Sequence, residues 1–198
     1  MRRYSVIPVV VLLSGFLVAC GEDTSEPPRS VDVAPAKQAA KVTAAVPEPA
    51  QGIYEQGMAY ARDNDNIRAA EFFQQAAEKG NRHAQYQLGL LFARGAGVKQ
   101  DFKEARAWLH RAAMGGHPKA QYHLGEMYVR GDGVKEDHVE ALAWFWLATT
   151  LGDRYSEKRL RAIAPRLTPE QMAEAKIRSD VLWKQIPHDL KIKRFSMH

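Results

Sequence analysis

Histidine offers the most varied chemistry of any residue in this sequence, since it can bind metals and transfer protons near neutral pH. The chain has seven histidines, and His110, His117 and His123 fall within 14 residues. Metal sites usually combine such histidines with cysteine or carboxylate ligands at regular spacing, and no such motif adjoins these three. The sequence therefore predicts no metal site, and we interpret the three histidines as surface or groove residues.

The common catalytic motifs are also missing from the sequence. It has no His-Glu-x-x-His zinc motif and no glycine-rich phosphate loop. Ser30, Ser156 and Ser179 lack a lysine three residues further on, so the Ser-x-x-Lys signature of penicillin-recognising enzymes is absent. The sequence predicts a protein that is not an enzyme and uses no cofactor. A β-lactam-binding or β-lactam-hydrolysing enzyme is the least favoured alternative.

The single cysteine, Cys20, follows a segment that is typical of exported proteins. Arg2 and Arg3 precede an apolar run over residues 6–19, which is too short to span a bilayer about 30 Å thick. The run ends Leu-Val-Ala-Cys at residues 17–20. These residues resemble the lipobox of bacterial lipoproteins, which implies cleavage before Cys20 and acylation of this residue. An ordinary signal peptide with a chance cysteine is the alternative.

The lipoprotein resemblance also predicts a location and a tether. Residues 1–19 form the predicted signal peptide, and Gly21 favours the periplasmic face of the outer membrane. Residues 20–50 contain five of the ten prolines and no aromatic residue. A segment of this composition cannot bury enough apolar surface to fold. We predict that it consists of the lipidated cysteine and a disordered tether rich in proline and alanine.

From residue 51 the sequence repeats itself. The segments 84–116 and 120–152 align at an offset of 36 residues and share a Gly-x-Gly-Val element, which an earlier third copy lacks. Apolar residues recur at three- and four-residue spacing on both sides of this element, which predicts two amphipathic helices in each copy. A period of this length predicts an all-α solenoid of stacked antiparallel helix pairs.

The shared pattern A-x-Y-x-L-G-x-x-Y-x-x-G-x-G-V-x-x-D-x-x-x-A-x-x-W-x-x-x-A-x-x-G resembles the Sel1-like repeat, a relative of the tetratricopeptide repeat. The resemblance implies a right-handed α-solenoid that holds proteins together through a groove lined by its first helices. We predict a solenoid at 51–153, C-terminal capping helices at 154–187 and a disordered basic tail at 188–198. The three predicted units of the solenoid are 51–81, 82–117 and 118–153.

Several repeat positions are predicted to build the core. The aromatic residues predicted to be buried are Tyr60, Phe92, Trp108, Tyr128 and Trp144. Glycine inside a helix costs about 1 kcal/mol relative to alanine, so we expect a neighbouring helix backbone to approach closely at Gly57, Gly89 and Gly125. In the capping region a Thr-Pro-Glu-Gln helix start at 168–171 precedes apolar residues at four-residue spacing, which is typical of a helix that covers the end of a solenoid. These residues are Ala173, Ile177 and Val181.

Two rows of side chains are candidates for partner binding. Tyr54, Tyr86 and Tyr122 share one position on the first helices, which faces the groove in the tetratricopeptide pattern; packing is an equal alternative. Arg62, Arg94 and Arg130 share a position near the C-terminal end of the same helices. Such a row suits carboxylates or an acidic peptide, although a favourable interaction with the helix dipole also explains it.

The leading functional prediction is a membrane-anchored scaffold or adaptor that binds an envelope protein or peptide. The alternative is a module that binds peptidoglycan through the arginine row or the basic tail. Residues 154–198 carry 11 basic and 5 acidic side chains, including the cluster Lys191, Lys193 and Arg194, and a merely solvated tail also fits. The envelope location argues against nucleic acid as a partner, despite the net charge of +5.

Overall fold

The structure is a computed structural model, and it describes residues 48–187. Within this range the chain forms eight α-helices, one short 3-10 helix and no strand, which confirms the predicted all-α class. The predicted signal peptide, Cys20, the tether up to residue 47 and the tail 188–198 lie outside the described residues. The helices are α1 (Glu48–Arg62), α2 (Asn66–Glu78), α3 (Arg82–Arg94), α4 (Phe102–Met114), α5 (Pro118–Arg130), α6 (His138–Thr150), α7 (Arg154–Ile163) and α8 (Pro169–Gln185), with the 3-10 helix at Ala164–Arg166.

The helices stack as consecutive pairs. We call α1, α3, α5 and α7 the first helices, and α2, α4 and α6 the second helices. Within the three pairs α1 packs on α2, α3 on α4 and α5 on α6, and each second helix also packs on the first helix that follows it. Short connections make neighbouring helices antiparallel, so all first helices begin at the same edge of the molecule. The predicted solenoid of stacked helix pairs is confirmed.

The glycine-rich loop in each full-length unit packs against the preceding unit. Gly97 and Gly133 have φ angles of +73° and +68°, which strain other residues. A Cβ atom at Gly97 would overlap the carbonyl group of Asn66, and one at Gly133 would lie 2.6 Å from the carbonyl carbon of Phe102. The loop therefore rests on the first turn of the preceding second helix, where no side chain fits.

The glycines inside the first helices accommodate side chains, which corrects the expectation of a close helix backbone at Gly57 and Gly125 but not at Gly89. A Cβ atom at Gly57 would lie 2.7 Å from the ring of Phe73, and one at Gly125 would lie 2.5 Å from the ring of Phe145. At Gly89 the nearest atom would be Cγ of a leucine on α4, at 2.8 Å, and a backbone carbonyl oxygen of the same helix would lie at 3.2 Å, as expected. A large side chain of the second helix thus fills the space in each pair.

The predicted aromatic core is present. Trp108 and Trp144 are each 1% exposed and Phe92 is 5% exposed, while Tyr60 and Tyr128 are half-buried against the core. Two buried glutamines connect successive units, which the repeat pattern did not reveal. Their side-chain nitrogens donate to carbonyls near the ends of the preceding second helices, with Gln85 bonded to Ala77 at 3.1 Å and Gln121 bonded to Ala113 at 3.0 Å.

The solenoid begins earlier than the sequence predicts. Helix α1 starts at Glu48, so residues 48–50 of the predicted tether are helical. Ala50 is fully buried, and its carbonyl accepts a hydrogen bond of 3.3 Å from Nδ2 of Asn81, which precedes α3. This contact fixes the start of α1 beside the start of α3.

Helix α8 begins at the predicted capping box. The Thr168 hydroxyl accepts from the Gln171 backbone N–H at 3.3 Å, and the Gln171 side chain accepts from the Thr168 N–H at 2.9 Å. The expected covering face is wrong, because Ile177 is 64% exposed and Val181 is 48% exposed, and Ala173 is also exposed. The buried residues of this segment are Ala175, Ser179 and Ile186.

Helix α8 packs on α6, and the side of α6 that faces it is apolar. Val139, Leu142 and Leu147 of α6 are at most 9% exposed and stand where the equivalent positions of α4 carry basic side chains. An ionic contact adds to this packing, since Arg178 of α8 donates to Glu140 of α6 at 2.8 Å. Arg178 also bonds Glu174 within α8 at 2.6 Å and lies 3.4 Å from the Asp137 carboxylate.

Candidate binding groove on the first helices

The three predicted tyrosines lie half-buried along the first helices, and the structure connects them through histidine rings. Ring centroids are 5.9 Å apart for Tyr54 and His83, 4.4 Å for Tyr86 and His117, and 5.4 Å for Tyr122 and His123. His83 and His117 are 5.0 Å apart, and Tyr86 and His123 are 5.7 Å apart. Tyr155 of α7 extends the series at 6.3 Å from Tyr122. We call this set the aromatic row: Tyr54, His83, His117, Tyr86, His123, Tyr122 and Tyr155.

Part of the aromatic row lines a cleft of about 430 Å³, which we call the tyrosine cleft. Tyr54, Tyr86, His83 and His117 contribute rings to it, and Arg82 and Lys119 are the cationic side chains that line it. The cleft lies where α3, α5 and α7 begin. Its volume is in the range of small-ligand sites, which measure roughly 300–1,000 Å³.

His117 occupies the N-cap position of α5 and must be neutral to do so. Its Nδ1 atom accepts a hydrogen bond of 3.2 Å from the Ala120 backbone N–H, which a protonated ring could not accept. Burial lowers the pKa of His117 to about 3, with smaller contributions from the nearby charges of His83, Arg82 and Lys119. The ring also stacks on Tyr86, so one neutral histidine both caps a helix and forms part of the cleft wall.

Burial also favours the uncharged forms of His83, His123 and Tyr86. Burial lowers the pKa of His83 and of His123, and the charges of Arg82 and Arg94 respectively act in the same direction. Burial raises the pKa of Tyr86, so its phenol keeps its proton at neutral pH. The cleft therefore presents neutral rings with cations at its margin.

The three arginines of the predicted row are exposed and end α1, α3 and α5, but they are not equivalent. Arg130 donates to the buried Glu126 carboxylate at 2.9 Å, and Glu126 also accepts a hydrogen bond from Arg159 of α7. Arg94 and Arg130 share a second cleft of about 200 Å³, and Arg62 is not among its lining residues. The structure thus brings two of the three arginines together and pairs one of them with a carboxylate that it shares with Arg159.

The groove is a surface of aromatic rings and charged side chains. Between residues 48 and 187 no group of three or more histidine, cysteine or acidic side chains is arranged to hold a metal ion. His110 contacts Trp144 at 5.6 Å, while His117 and His123 both contact Tyr86. Over the same range no helix combines the length and apolar character needed to cross a bilayer.

The fold and the groove define an α-solenoid of helix-pair repeats. The family model for the Sel1 repeat matches residues 52–81, 82–117 and 118–153, slightly more than half of the sequence. The chain belongs to the Sel1 repeat family. Proteins of this family generally act as scaffolds that bind other proteins and are typically non-catalytic.

Two solved structures show the same architecture. A protective antigen of uropathogenic Escherichia coli strains that displays an SLR fold aligns over 75% of this chain with 31% identity and a TM-score of 0.69. The chain spans 33% of the length of that structure. A Sel1 repeat protein from Oxalobacter formigenes aligns over 57% of this chain and 88% of its own, with 34% identity and a TM-score of 0.53. The comparison with curated protein sequences gave no match.

Proposed function

We propose that the protein is an envelope lipoprotein whose solenoid holds a partner protein against its first helices and performs no chemistry of its own. The aromatic row is the observation that supports this most directly. It runs through all three units and opens into the tyrosine cleft. Rigid aromatic rings provide a large contact area at a small entropic cost, which is why they dominate protein interfaces.

The charges around the groove favour an acidic segment of the partner. Arg82 and Lys119 line the tyrosine cleft. Arg62 and Arg94 are exposed and form no ion pair with any residue of the described range. Arg130 contributes less, because it already pairs with Glu126, which it shares with Arg159. Positive groups at the rim of a contact surface increase the association rate and select against basic partners.

The anchor of the protein rests on the sequence, where Leu-Val-Ala-Cys at residues 17–20 precedes Gly21. We propose that Cys20 carries the lipid and that the solenoid faces the periplasm from the outer membrane. Metabolic labelling with a palmitate analogue tests this step. The wild type should carry label in the outer-membrane fraction, and Cys20→Ser should lose both the label and the membrane association. Unlabelled wild type would refute the anchor.

Partner capture from intact envelopes tests the groove. A variant with Lys119→Glu and Tyr155→Ala should lose a crosslinked partner that the wild type retains. The matched control combines Lys103→Glu on α4 with Ile177→Ala on α8. The control also replaces one lysine with glutamate and one exposed large side chain with alanine. Tyr155 and Ile177 have similar exposure, at 71% and 64%. Equal loss in both variants would contradict a groove on the first helices.

Peptidoglycan is the second candidate ligand, because Arg62 and Arg94 are exposed on one side of the solenoid. Co-sedimentation with purified sacculi distinguishes the two functions. Binding to sacculi that falls in Arg62→Glu with Arg94→Glu, together with no protein partner in the capture experiment, would replace the scaffold proposal. Absence of sacculus binding at low and moderate salt would eliminate the alternative.

A further inference from the structure

We propose that the tyrosine cleft binds an acidic, proline-containing peptide segment, and that its resident ligand is residues 22–28 of this same chain. The inference rests on the cleft used in the proposed function and goes beyond it. It gives the cleft an intramolecular ligand that a partner must displace.

The cleft attracts negative charge. Arg82 and Lys119 line it, and helices α5 and α7 begin at its margin, where helix dipoles favour anions. The one acidic residue in its lining, Asp153, is already used. Its carboxylate accepts bonds from the Ser156 backbone N–H at 2.8 Å and from the Ser156 hydroxyl at 2.6 Å. The cations are therefore the charges that a ligand meets.

The walls of the cleft suit proline rings. Tyr54 and Tyr86 lie half-buried beside two histidines, and burial lowers the pKa of both histidines. Proline-rich segments bind in aromatic grooves because their extended conformation is already restricted before binding. A cleft of about 430 Å³ has room for a pair of prolines.

Residues 22–28 have the complementary chemistry. They read Glu-Asp-Thr-Ser-Glu-Pro-Pro, with three carboxylates, two adjacent prolines and no basic residue. The basic residues of the predicted tether, Arg29, Lys37 and Lys41, all come later. The acidic and proline-pair features thus occur together in one stretch of seven residues.

The chain enters the fold beside the cleft. Ala50, in the first turn of α1, accepts a hydrogen bond from Asn81. Arg82, the residue after Asn81, lines the cleft. Nineteen residues separate Pro28 from Glu48. A chain of this length has a root-mean-square reach of roughly 24 Å and an extended limit of about 60 Å. Such a link gives an intramolecular ligand an effective concentration of about 1 mM.

Carbodiimide crosslinking of the full-length protein in membranes tests this contact, because the reagent joins a carboxylate to an amine only when the two touch. Lys119 lies at the cleft, and Lys79 is a matched control. Both are exposed and lie at the edge where the first helices begin. Lys119 is in the first turn of α5 and lines the cleft, whereas Lys79 is in the turn between α2 and α3 and does not line it. Peptide mapping should show roughly tenfold more crosslinks from residues 22–28 to Lys119 than to Lys79.

A second variant separates binding from simple proximity. Pro27→Ala with Pro28→Ala keeps all three carboxylates, so its crosslinks to Lys119 should fall to the level of Lys79. Equal yields at the two lysines in the wild type, or unchanged yields in this variant, would overturn the proposal. Crosslinks that join isotopically labelled to unlabelled chains would also overturn it, because they would assign the ligand to a second copy.

The outcome is distinguishable from failure of the proposed function. A partner captured through Lys119 and Tyr155 without crosslinks to residues 22–28 refutes the intramolecular ligand and leaves the scaffold intact. Crosslinks to Lys119 without any captured partner support the intramolecular ligand and count against the scaffold.

Discussion

His117 should make the stability of the solenoid depend on pH between about 7 and 3. The ring is neutral in the folded protein, where its pKa is lowered to about 3, from a normal value of 6.5. The unfolded chain therefore binds more protons than the folded chain whenever the pH lies between these values. Stability is complete above pH 6.5 and is lost as the pH falls, by about 1.4 kcal/mol for each pH unit.

The magnitude at a convenient pH follows from the same two pKa values. Between pH 7 and pH 5 the wild type should lose about 2 kcal/mol of unfolding free energy through His117 alone. His117→Asn removes the titrating group and keeps a residue type that caps α3, where Asn81 accepts backbone N–H bonds. The variant should lose the stack on Tyr86 equally at all pH values, and its stability should fall about 2 kcal/mol less between pH 7 and pH 5.

Urea unfolding at pH 7, 6 and 5 measures this difference, with the fluorescence of the buried tryptophans as the signal. His83 and His123 also contribute to the acid sensitivity, because burial lowers their pKa values. The contribution of His123, which does not contact His117, is present in both proteins and cancels, whereas His83 contacts the His117 ring, so the comparison measures the two rings together. If wild type and variant lost the same free energy between pH 7 and pH 5, the neutral capping role of His117 would be wrong.

Three further predictions concern packing. Gly125→Ala should lower the unfolding free energy by about 1–3 kcal/mol, because the added Cβ would lie 2.5 Å from the Phe145 ring. The control Gly52→Ala should not destabilise the fold, because its Cβ would have no atom within 4 Å. Similar urea midpoints for the two variants would contradict this prediction. Ile186→Ala should lower the unfolding free energy by about 2–4 kcal/mol, because Ile186 is only 2% exposed. Ile177→Ala should change it very little, because Ile177 is 64% exposed. A larger loss of thermal stability in Ile177→Ala than in Ile186→Ala would contradict the observed buried face of α8. Arg178→Met should lower the unfolding free energy by at most about 1 kcal/mol, because the side chain is 37% exposed. It should also accelerate amide hydrogen exchange selectively in α8. The same acceleration in all helices would rule out a role of Arg178 in holding α8.

The fold was predictable because its determinants recur at fixed spacing. The repeated glycines mark turns and close contacts, and an aspartate precedes each second helix and accepts backbone N–H bonds from its first turn: Asp65, Asp101 and Asp137. A 36-residue offset reveals such features without any knowledge of tertiary contacts. The helix pairs follow, because each amphipathic helix must bury one face.

The ring contacts of the groove histidines were not predictable in the same way, although we interpret His117 and His123 from the sequence as surface or groove residues. His83, His117 and His123 occupy three different positions of the repeat, so no periodic signal joins them. They meet Tyr86 or each other only because α3 and α5 stack side by side. The tyrosine row was visible in the sequence, but the rings that connect it were not.

The face of α8 was misjudged for a related reason. Ile177 and Val181 are the large apolar residues of this helix, and their spacing dominates its pattern. The face that packs on α6 contains the small residues Ala175 and Ser179, which allow a close approach but give a weak hydrophobic signal. The apolar surface of α6 was the better indicator that another helix covers it.

Site-specific photocrosslinking tests the central claim most directly. A photoreactive amino acid is placed at Tyr155, at the exposed end of the aromatic row, or at Ile177 on the outer side of α8. The two sites have similar exposure, 71% and 64%, so chance collisions should label them equally. The scaffold account predicts one discrete protein adduct in intact envelopes from position 155 and none from position 177. An adduct only from position 177, or none from either, would contradict binding of a partner along the first helices.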